Sequence, residues 1–379
     1  MVLLKRTNRV ILSCIFLTGI ITTMTSPLLT EFSKLCNTNI DTMGIVFTFN
    51  TMGYLFFSTL FGVLAQKLNP KKIICALIIG YAMTIFLLPY TRNLIQLCIF
   101  FTFIGGGNGS LMSLLTAYMT SINTKETYAN VGKIHMSFGI GAILGPVLVI
   151  VFNALNLSWQ HIYVLLSIIL FIIELLFLGA KYENSINVEK FSMDAVKEIF
   201  TNKYIIIAAI CIALYNGSEV VSWGWLSTNL KTQNISSVIS NFAVSIFWIS
   251  MTIGRGIVNK FSEKYKLKNI LFTLIIMSII SNILIMFQFN MIYQVICIFL
   301  LGFSYSAICP LFITLGLNKI PDKGDSYTAS SILLSSGSIG IMCIPYFIGA
   351  GGTIGKYAPL ISFVACFILL SYLYKKDNK

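Results

Sequence analysis

The polar positions of this 379-residue chain divide it into long apolar runs. A helix needs about 20 apolar residues to cross the hydrocarbon core of a bilayer, and twelve runs of about that length can be placed. The pattern therefore predicts an all-α integral membrane protein with twelve transmembrane helices in two six-helix halves. The predicted spans are Arg9–Thr30, Thr42–Gln66, Lys72–Tyr90, Leu94–Thr120, Val131–Leu155, Trp159–Ala180, Tyr204–Leu226, Val238–Val258, Asn269–Phe287, Tyr293–Leu317, Tyr327–Ala350 and Ala358–Leu373.

One connector differs from the others, which are short. It is the longest polar stretch of the chain, lies between the sixth and seventh spans, and falls near the middle of the sequence. It predicts three regions: an N-terminal six-helix half (residues 1–180), a cytoplasmic linker (181–203) and a C-terminal six-helix half (204–379).

Composition and charge agree with this division. With 56% apolar and 10% charged residues, the chain cannot be a soluble globule, since soluble domains carry about 25% charged residues. If the N-terminus and every second connector share one side, that side holds 22 of the 26 lysines and arginines, all but Lys34, Arg92, Lys231 and Lys356. Because basic loops stay in the cytoplasm, both termini are expected there, in a multi-pass protein of the plasma membrane.

The net charge of +13 is then mainly a topology signal and an attraction to anionic lipid headgroups, and it does not predict nucleic-acid binding. The nine cysteines are scattered, and His135 and His161 lie far apart, so no disulfide framework, metal site or cofactor is predicted. An integral-membrane enzyme or a non-transporting receptor would need a catalytic cluster at one interface, and the sequence contains none. We expect a monomer that is not an enzyme.

A short motif repeats after the second and eighth spans. The sequences "KLNPKKII" from Lys67 and "KYKLKNIL" from Lys264 both read K-x-x-x-K-[KN]-I and start 197 residues apart, about half the chain. Their matching places predict that the two halves are internal repeats.

These features resemble the major facilitator superfamily, whose two six-helix halves rock about a central cavity. The family's loop after the second helix has the approximate pattern G-x-L-A-D-R-x-G-R-[RK]. Here "GVLAQKLNPKK" keeps the general form, and Lys67 and Lys71 are candidates for a conformational role. However, Gln66 replaces the acid and Asn69 the glycine, so the resemblance does not extend to the acid of the family's usual charge relay.

A narrower resemblance covers about two-thirds of the chain. The segments "GKIHMSFGIGAILGPVL", "NGSEVVSWGWLSTNL", "SIFWISMTIGR", "GFSYSAICP" and "TASSILLSSGSIG" are similar, in order, to signature segments of the fucose:proton symporter family of sugar transporters. The resemblance implies sugar transport, with coupling acids in the first and fourth helices. This chain has no acid in Arg9–Thr30 and has Met112 at the acidic position of the fourth span. Coupling must therefore move to Glu219, use another ion, or be absent.

The fifth span contains Gly141 and Gly145 in a G-x-x-x-G pair, followed by Pro146. Small residues allow close backbone contact between membrane helices, and proline produces a bend at a fixed place. We expect this helix to pack closely on a neighbour from the other half and to flex there, although a packing face alone is also consistent with the pattern. His135 near its cytoplasmic end is a candidate to line water or to bond a carbonyl.

The seventh span carries Asn216, Glu219 and Trp223 at spacings that place them on one helix face. A carboxylate inside an apolar span is costly and normally faces a cavity, so Glu219 is the candidate coupling group, and Trp223 is a candidate to stack on a sugar ring. A structural pairing of Glu219 is the alternative. Glu174 lies nearer the cytoplasmic boundary and is the weaker candidate. Arg255 in "TIGR", at the cytoplasmic mouth, is interpreted as a topology anchor with a conformational role.

Asn50 and Tyr54 on the second span and Asn108 on the fourth complete the candidate substrate contacts, since neutral donors and acceptors suit a polyhydroxylated solute. Together these observations predict a secondary transporter that moves a small neutral solute, with a sugar as the expected class, by alternating access. The alternative is a proton-coupled efflux antiporter for hydrophobic compounds, because the Gly-x-x-x-Gly-Pro element also resembles a motif of drug antiporters. Val149 and Ile150 stand where that motif has further glycines.

Overall fold

A computed structural model describes residues 2–122, 127–179, 201–262, 264–287, 289–317, 333, 335–346 and 357–377. Within these ranges, eleven helical segments are long and apolar enough to cross a membrane, and the predicted all-α membrane fold is confirmed. The helices are α1 Val2–Leu35, α2 Gly44–Lys67, α3 Pro70–Leu87, α4 Leu94–Ile122, α5 Thr127–Ala154, α6 Trp159–Leu178, α7 Lys203–Gly224, α8 Leu226–Thr232, α9 Ser237–Ser262, α10 Leu267–Leu284, α11 Met291–Tyr305, α12 Ile308–Leu317, α13 (335–346) and α14 Ala358–Asp377.

Two predicted regions are described only in part. The predicted eleventh span corresponds to α13, and its remaining residues, apart from 333, lie outside the described ranges. The linker predicted at 181–203 also lies outside them up to residue 200. The tenth span, predicted as a single helix, is divided into α11 and α12 by a short break at residues 306 and 307.

The chain forms two compact units. The first comprises Met1–Glu189 together with Ser227–Ser245, and the second comprises Lys190–Leu226 and Ile246–Lys379. The units therefore follow the predicted halves except for Ser227–Ser245, which covers α8 and the start of α9. The domain boundaries drawn from the sequence stay a prediction.

Glycines set the helix contacts of the first unit. A Cβ at Gly105 of α4 would collide with the backbone carbonyl of Asn50 in α2. In α5, a Cβ at Gly141 would collide with the carbonyl of Phe16, and one at Gly145 would lie 2.6 Å from the carbonyl oxygen of Ile20. The glycine face of α5 thus packs on α1, in the same sequence half. The sequence led us to expect a neighbour from the other half here, but the nearest atoms that a Cβ at Gly141 or Gly145 would meet all belong to α1.

Two hydrogen bonds hold Ser227–Ser245 within the first unit. The ammonium group of Lys231 donates to the carbonyl of Pro27 in α1 at 2.7 Å, and the hydroxyl of Ser245 donates to the carbonyl of Ile143 in α5 at 2.8 Å. These contacts give a physical reason why this segment, which the sequence assigns to the second half, clusters with the first.

The second unit uses the same kind of glycine contact. A Cβ at Gly302 of α11 would meet the carbonyl oxygen of Phe247 in α9, and one at Gly340 of α13 would collide with the carbonyl of Ala213 in α7. Close backbone approach of this kind replaces the hydrophobic driving force that helices lack in lipid.

The loop after α2 is stabilised by a cap on α3 and by a contact with the end of α6. Asn69 is the N-cap of α3, its side-chain oxygen accepts from the backbone N–H of Lys71 at 3.0 Å, and Pro70 occupies the first helical position, where a missing N–H costs nothing. The ammonium group of Lys71 donates to the carbonyl of Leu178 at the end of α6, at 2.7 Å, a placement that the helix dipole favours. Lys67 is the last residue of α2.

Candidate functional site

Asn108, a predicted substrate contact, is buried, and its side chain is hydrogen-bonded to other helices of the first unit. Its side-chain oxygen accepts from the hydroxyl of Tyr81 in α3 at 2.6 Å, and its side-chain N–H donates to the hydroxyl of Thr22 in α1 at 3.1 Å. Thr22 in turn donates to the carbonyl of Thr18. In this conformation the amide joins three helices of the first unit.

The other candidates of the first unit are more accessible. Asn50 is half-buried and donates to the carbonyl of Phe101 at 3.2 Å. Tyr54, one turn further along α2, is 36% exposed and its ring lies over Gly109 of α4. His135 is exposed on α5. Asn50 and Tyr54 therefore lie on the helix that packs against α4, which carries Asn108, whereas His135 lies on a different helix.

Glu174 is the buried acid of the described part of the first unit, with 3% of its surface exposed. Neither carboxylate oxygen makes a hydrogen bond of ordinary geometry to a described residue, and the thiol of Cys75 and the ammonium of Lys71 lie near the carboxylate on α3. Burial without good partners is costly for a charged carboxylate.

In the second unit, α7 presents the three residues that the sequence placed on one face. Asn216 and Glu219 are half-buried, and the amide of Asn216 lies against Gly337 of α13. Trp223 is buried, and its ring lies 6.0 Å from the ring of Trp248, measured between centroids. Trp223 is therefore covered by Trp248 in this conformation, and the stacking on a sugar predicted for it requires that pair to separate.

A buried hydrogen-bond network lies beside Glu219. The hydroxyl of Tyr305 in α11 accepts from the side-chain N–H of Asn282 in α10 at 3.0 Å and bonds the hydroxyl of Ser222 in α7, also at 3.0 Å. The hydroxyl of Tyr215 in α7 donates to the backbone carbonyl of Tyr305 at 2.8 Å. Tyr215 and Tyr305 are almost fully buried, so these bonds fix three helices around the acid.

Glu219 has two near neighbours that act on its carboxylate, the hydroxyl of Tyr215 and the guanidinium of Arg255 in α9. Arg255 and Glu219, both described, do not form a salt bridge. Arg255 instead donates from Nε to the carbonyl of Ser306 at 3.0 Å. The arginine that the sequence assigned to the helix mouth therefore reaches the break between α11 and α12.

The structure thus groups Glu219 with Arg255 in the second unit, while Asn50, Tyr54, Asn108 and His135 belong to the first. Sequence reasoning missed Tyr215, Tyr305 and Asn282. The 197-residue repeat would have found Tyr305, because it stands at that spacing from Asn108. Among the described residues, no group of three histidine, cysteine, aspartate or glutamate side chains is placed to hold a metal ion.

The sequence matches a known family over most of its length. The model of the Major Facilitator Superfamily matches residues 11–345. A protein TsgA homolog of Buchnera aphidicola is 28% identical over 94% of this chain and 91% of its own length. The glucose/mannose transporter GlcP of Bacillus subtilis is 26% identical over 88% of this chain and 85% of its own.

Solved structures share the fold. The nucleoside transporter NupG superposes with a TM-score of 0.80 at 16% identity, covering 100% of this chain and 100% of that protein. The E. coli fucose:proton symporter FucP, in its outward conformation, gives a TM-score of 0.63 at 16% identity, covering 96% of this chain and 98% of that protein. The similarity of fold therefore extends over nearly the whole length.

Proposed function

The chain belongs to the major facilitator superfamily, as its loops and segments predicted, and from this premise we propose that it moves a small neutral solute of the sugar class by alternating access. The observation that carries the proposal is the relation to a glucose/mannose transporter over 88% of this chain. The chemistry of the helices supports it, since amides, hydroxyls and tryptophans suit a polyhydroxylated solute better than a charged one.

We propose further that Glu219 couples proton movement to transport. It is an acid on a helix face that carries other polar side chains, and part of its surface stays accessible. The expected family acids of the first and fourth helices are replaced, with Met112 at one of the two positions. Glu174 is a weaker candidate because its carboxyl is almost completely enclosed.

The proposed setting is the plasma membrane, with the protein as a monomer and both termini in the cytoplasm. The support is the distribution of lysine and arginine, 22 of 26 on one side, which follows the positive-inside rule. Cysteine substitution at Lys67 and Lys264 should allow labelling from the cytoplasmic side, and substitution at Lys34 should allow labelling from outside. Opposite accessibility of either set would contradict this orientation.

The test of function is uptake by proteoliposomes that contain the purified protein. Labelled glucose, mannose, fucose and uridine would be offered with and without an inward proton gradient. We expect saturable uptake of at least one hexose, stimulated by the gradient. Uptake of uridine alone would change the solute class, and gradient-driven export of a lipophilic dye without hexose flux would replace the proposal by drug efflux.

A further inference from the structure

The tenth span is broken inside a segment that is otherwise apolar and helical. α11 ends at Tyr305 and α12 begins at Ile308. Pro310 has no N–H, so the carbonyl of Ser306, four residues earlier, cannot receive its ordinary helical hydrogen bond. In lipid, a backbone group without a partner is strongly destabilising, and the break therefore needs donors from neighbouring helices.

Two side chains supply these donors. The hydroxyl of Tyr215 donates to the carbonyl of Tyr305 at 2.8 Å, and Nε of Arg255 donates to the carbonyl of Ser306 at 3.0 Å. The approach of α9 to the break depends on Gly254, since a Cβ there would lie 2.6 Å from the hydroxyl oxygen of Ser306. The break is thus stabilised by one phenol and one guanidinium.

The same two side chains are the ones that act on Glu219. Tyr215 is one turn from Glu219 on α7, and Arg255 is the cationic group that acts on its carboxylate. Among the described residues, Tyr305 on α11 and Cys309 on α12 are further titratable groups that interact with Glu219. On α14, Cys366 is directed to the carbonyl of Cys211. Two acceptors are thus available to Arg255, the carboxylate of Glu219 and the backbone carbonyl of Ser306.

The Ser306 side chain supports a second arrangement at the break. Its hydroxyl is buried, with 1% of the residue exposed, and has no hydrogen-bond partner within the part of the chain that the structure describes. A buried polar group without a partner needs an explanation, and a second arrangement in which this hydroxyl finds a partner would provide one.

We propose that Arg255 is a positioning residue that exchanges between the carbonyl of Ser306 and the carboxylate of Glu219, so that protonation of Glu219 sets the conformation of the broken tenth span. In this proposal, protonated Glu219 leaves Arg255 on the carbonyl of Ser306, the hydrogen bond that the structure shows, and the break is stabilised. When Glu219 loses its proton, the negative charge attracts Arg255, and the Ser306 carbonyl loses its donor. The two sites then favour different states of one element, as coupling requires.

This inference rests on the proposed coupling role of Glu219, and its test uses only protons. The intrinsic tryptophan fluorescence of the purified protein in detergent would be followed from pH 5 to 10. Trp223 is one turn from Glu219 and Trp248 two turns from Arg255 on their helices, so the emission reports on this region. We expect one sigmoidal transition in the wild type and none in Glu219→Gln.

Two variants should move the midpoint of this transition in opposite directions. Arg255→Gln removes the positive neighbour of the ionised carboxylate and should raise the midpoint by about one pH unit or more. Pro310→Ala restores an N–H for Ser306, releases Arg255 to Glu219, and should lower the midpoint. Lys260→Gln, on an exposed lysine at the end of the same helix, is the matched control and should leave the midpoint unchanged.

A shift of Arg255→Gln and Pro310→Ala in the same direction, or no shift in either, would overturn the exchange while Glu219 kept its role. If Arg255→Gln gives no folded protein, Arg255→Lys replaces it, because a single ammonium cannot reproduce the guanidinium geometry, and a smaller upward shift is expected. A wild type with neither a fluorescence transition nor pH-dependent uptake would instead contradict the coupling role of Glu219 itself.

Discussion

The two sequence halves share their backbone contacts at a constant separation of 197 residues. Asn37 and Asn234 stand at this spacing, both have positive φ angles, and both follow the last turn of a helix, α1 and α8. Gly105 and Gly302 also stand at this spacing, and each meets the backbone carbonyl of a neighbouring helix. The spacing first seen in two loops therefore recurs in helix ends and helix contacts.

The polar residues inside the two halves differ, even where they stand at the same separation of 197 residues. Thr22 of α1 corresponds to Glu219, and Asn108 of α4 corresponds to Tyr305. Each half buries an asparagine and a tyrosine between its third and fourth spans, but the residues are exchanged: Tyr81 bonds Asn108, and Asn282 bonds Tyr305. The polar link is retained while the acid is found in the second half alone at this position.

Like Glu219, Arg255 and the break between α11 and α12 have no counterpart at the corresponding positions of the first half. Arg255 corresponds to Ser58 and Pro310 to Ser113, and α4 runs through Ser113 as one continuous helix. The repeat therefore specifies how helices approach one another, whereas the second half combines Glu219, Arg255 and the break, which would allow a proton to change helix conformation.

The helix contacts that the two halves share should be the most sensitive to substitution. Gly105→Ala and Gly302→Ala each place a Cβ against a neighbouring carbonyl, so each should lower the free energy of unfolding by about 3 kcal/mol. Gly80→Ala, where a Cβ meets no described atom within 4 Å, is the control and should be neutral or slightly stabilising, because alanine favours a helix more than glycine does. Thermal denaturation in detergent measures the difference. A large loss of stability in only one half would show that the two glycines do not make energetically equivalent helix contacts, although their sequence positions correspond.

The next effect tests the divergent chemistry. With one proton per solute, a gradient of one pH unit supports about tenfold accumulation. Glu219→Gln should abolish this accumulation but keep counterflow, in which labelled solute exchanges for unlabelled solute without net proton movement. Glu174→Gln, the matched change at the buried acid of the first unit, should retain accumulation.

The opposite result, with accumulation lost in Glu174→Gln and kept in Glu219→Gln, would transfer the coupling role to the first unit. Proteoliposomes with a fixed internal pH provide the measurement, and the amount of folded protein in each preparation provides the control.

A third test compares two lysines at the repeat spacing. Burial lowers the pKa of Lys231 to about 8 from 10.5, with Lys34 acting in the same direction and Glu31 opposing it. The side chain of Lys34 is 74% exposed. Between pH 8 and 10.5 the unfolded chain binds more protons at Lys231 than the folded chain, so the free energy of unfolding should rise with pH across this window.

We expect the rise to be about 1 kcal/mol, because the ammonium is only partly enclosed. Lys231→Met should remove it, and Lys34→Met should leave most of it in place, because burial is the largest cause of the lowered pKa of Lys231. Denaturation in detergent at pH 7, 8.5 and 10 would measure the slope. An identical slope in wild type and Lys231→Met would show that this lysine is not the titrating group.

Most of the fold could be predicted from the sequence. The length of the apolar runs and the side on which basic loops lie are set by the membrane, not by the packing of particular side chains. The sequence also placed Glu219 and the glycines of α5 on the correct helices. It did not identify the partner of the α5 glycines, since a G-x-x-x-G pair specifies a close contact without naming the neighbouring helix. Nor did it connect Arg255 with Ser306, because that contact follows from the carbonyl that Pro310 leaves open in another helix.

Substitutions at the two asparagines that follow helix ends should change the stability only slightly. Asn37 has φ 50° and Asn234 φ 62°, and at each the following residue donates to a carbonyl five residues back, Thr38 to Ser33 and Ile235 to Leu230. A residue with a Cβ pays a cost in this left-handed conformation that asparagine partly avoids and glycine lacks. Replacement of either asparagine by alanine should therefore lower the free energy of unfolding by about 0.5 to 1 kcal/mol, whereas replacement by glycine should change it by less. Denaturation in detergent would measure these losses. Equal losses at the two positions would show that the two helix ends contribute equally to stability, as the repeat predicts. A loss at only one position would show that the neighbouring contacts of Ser227–Ser245 decide the stability there.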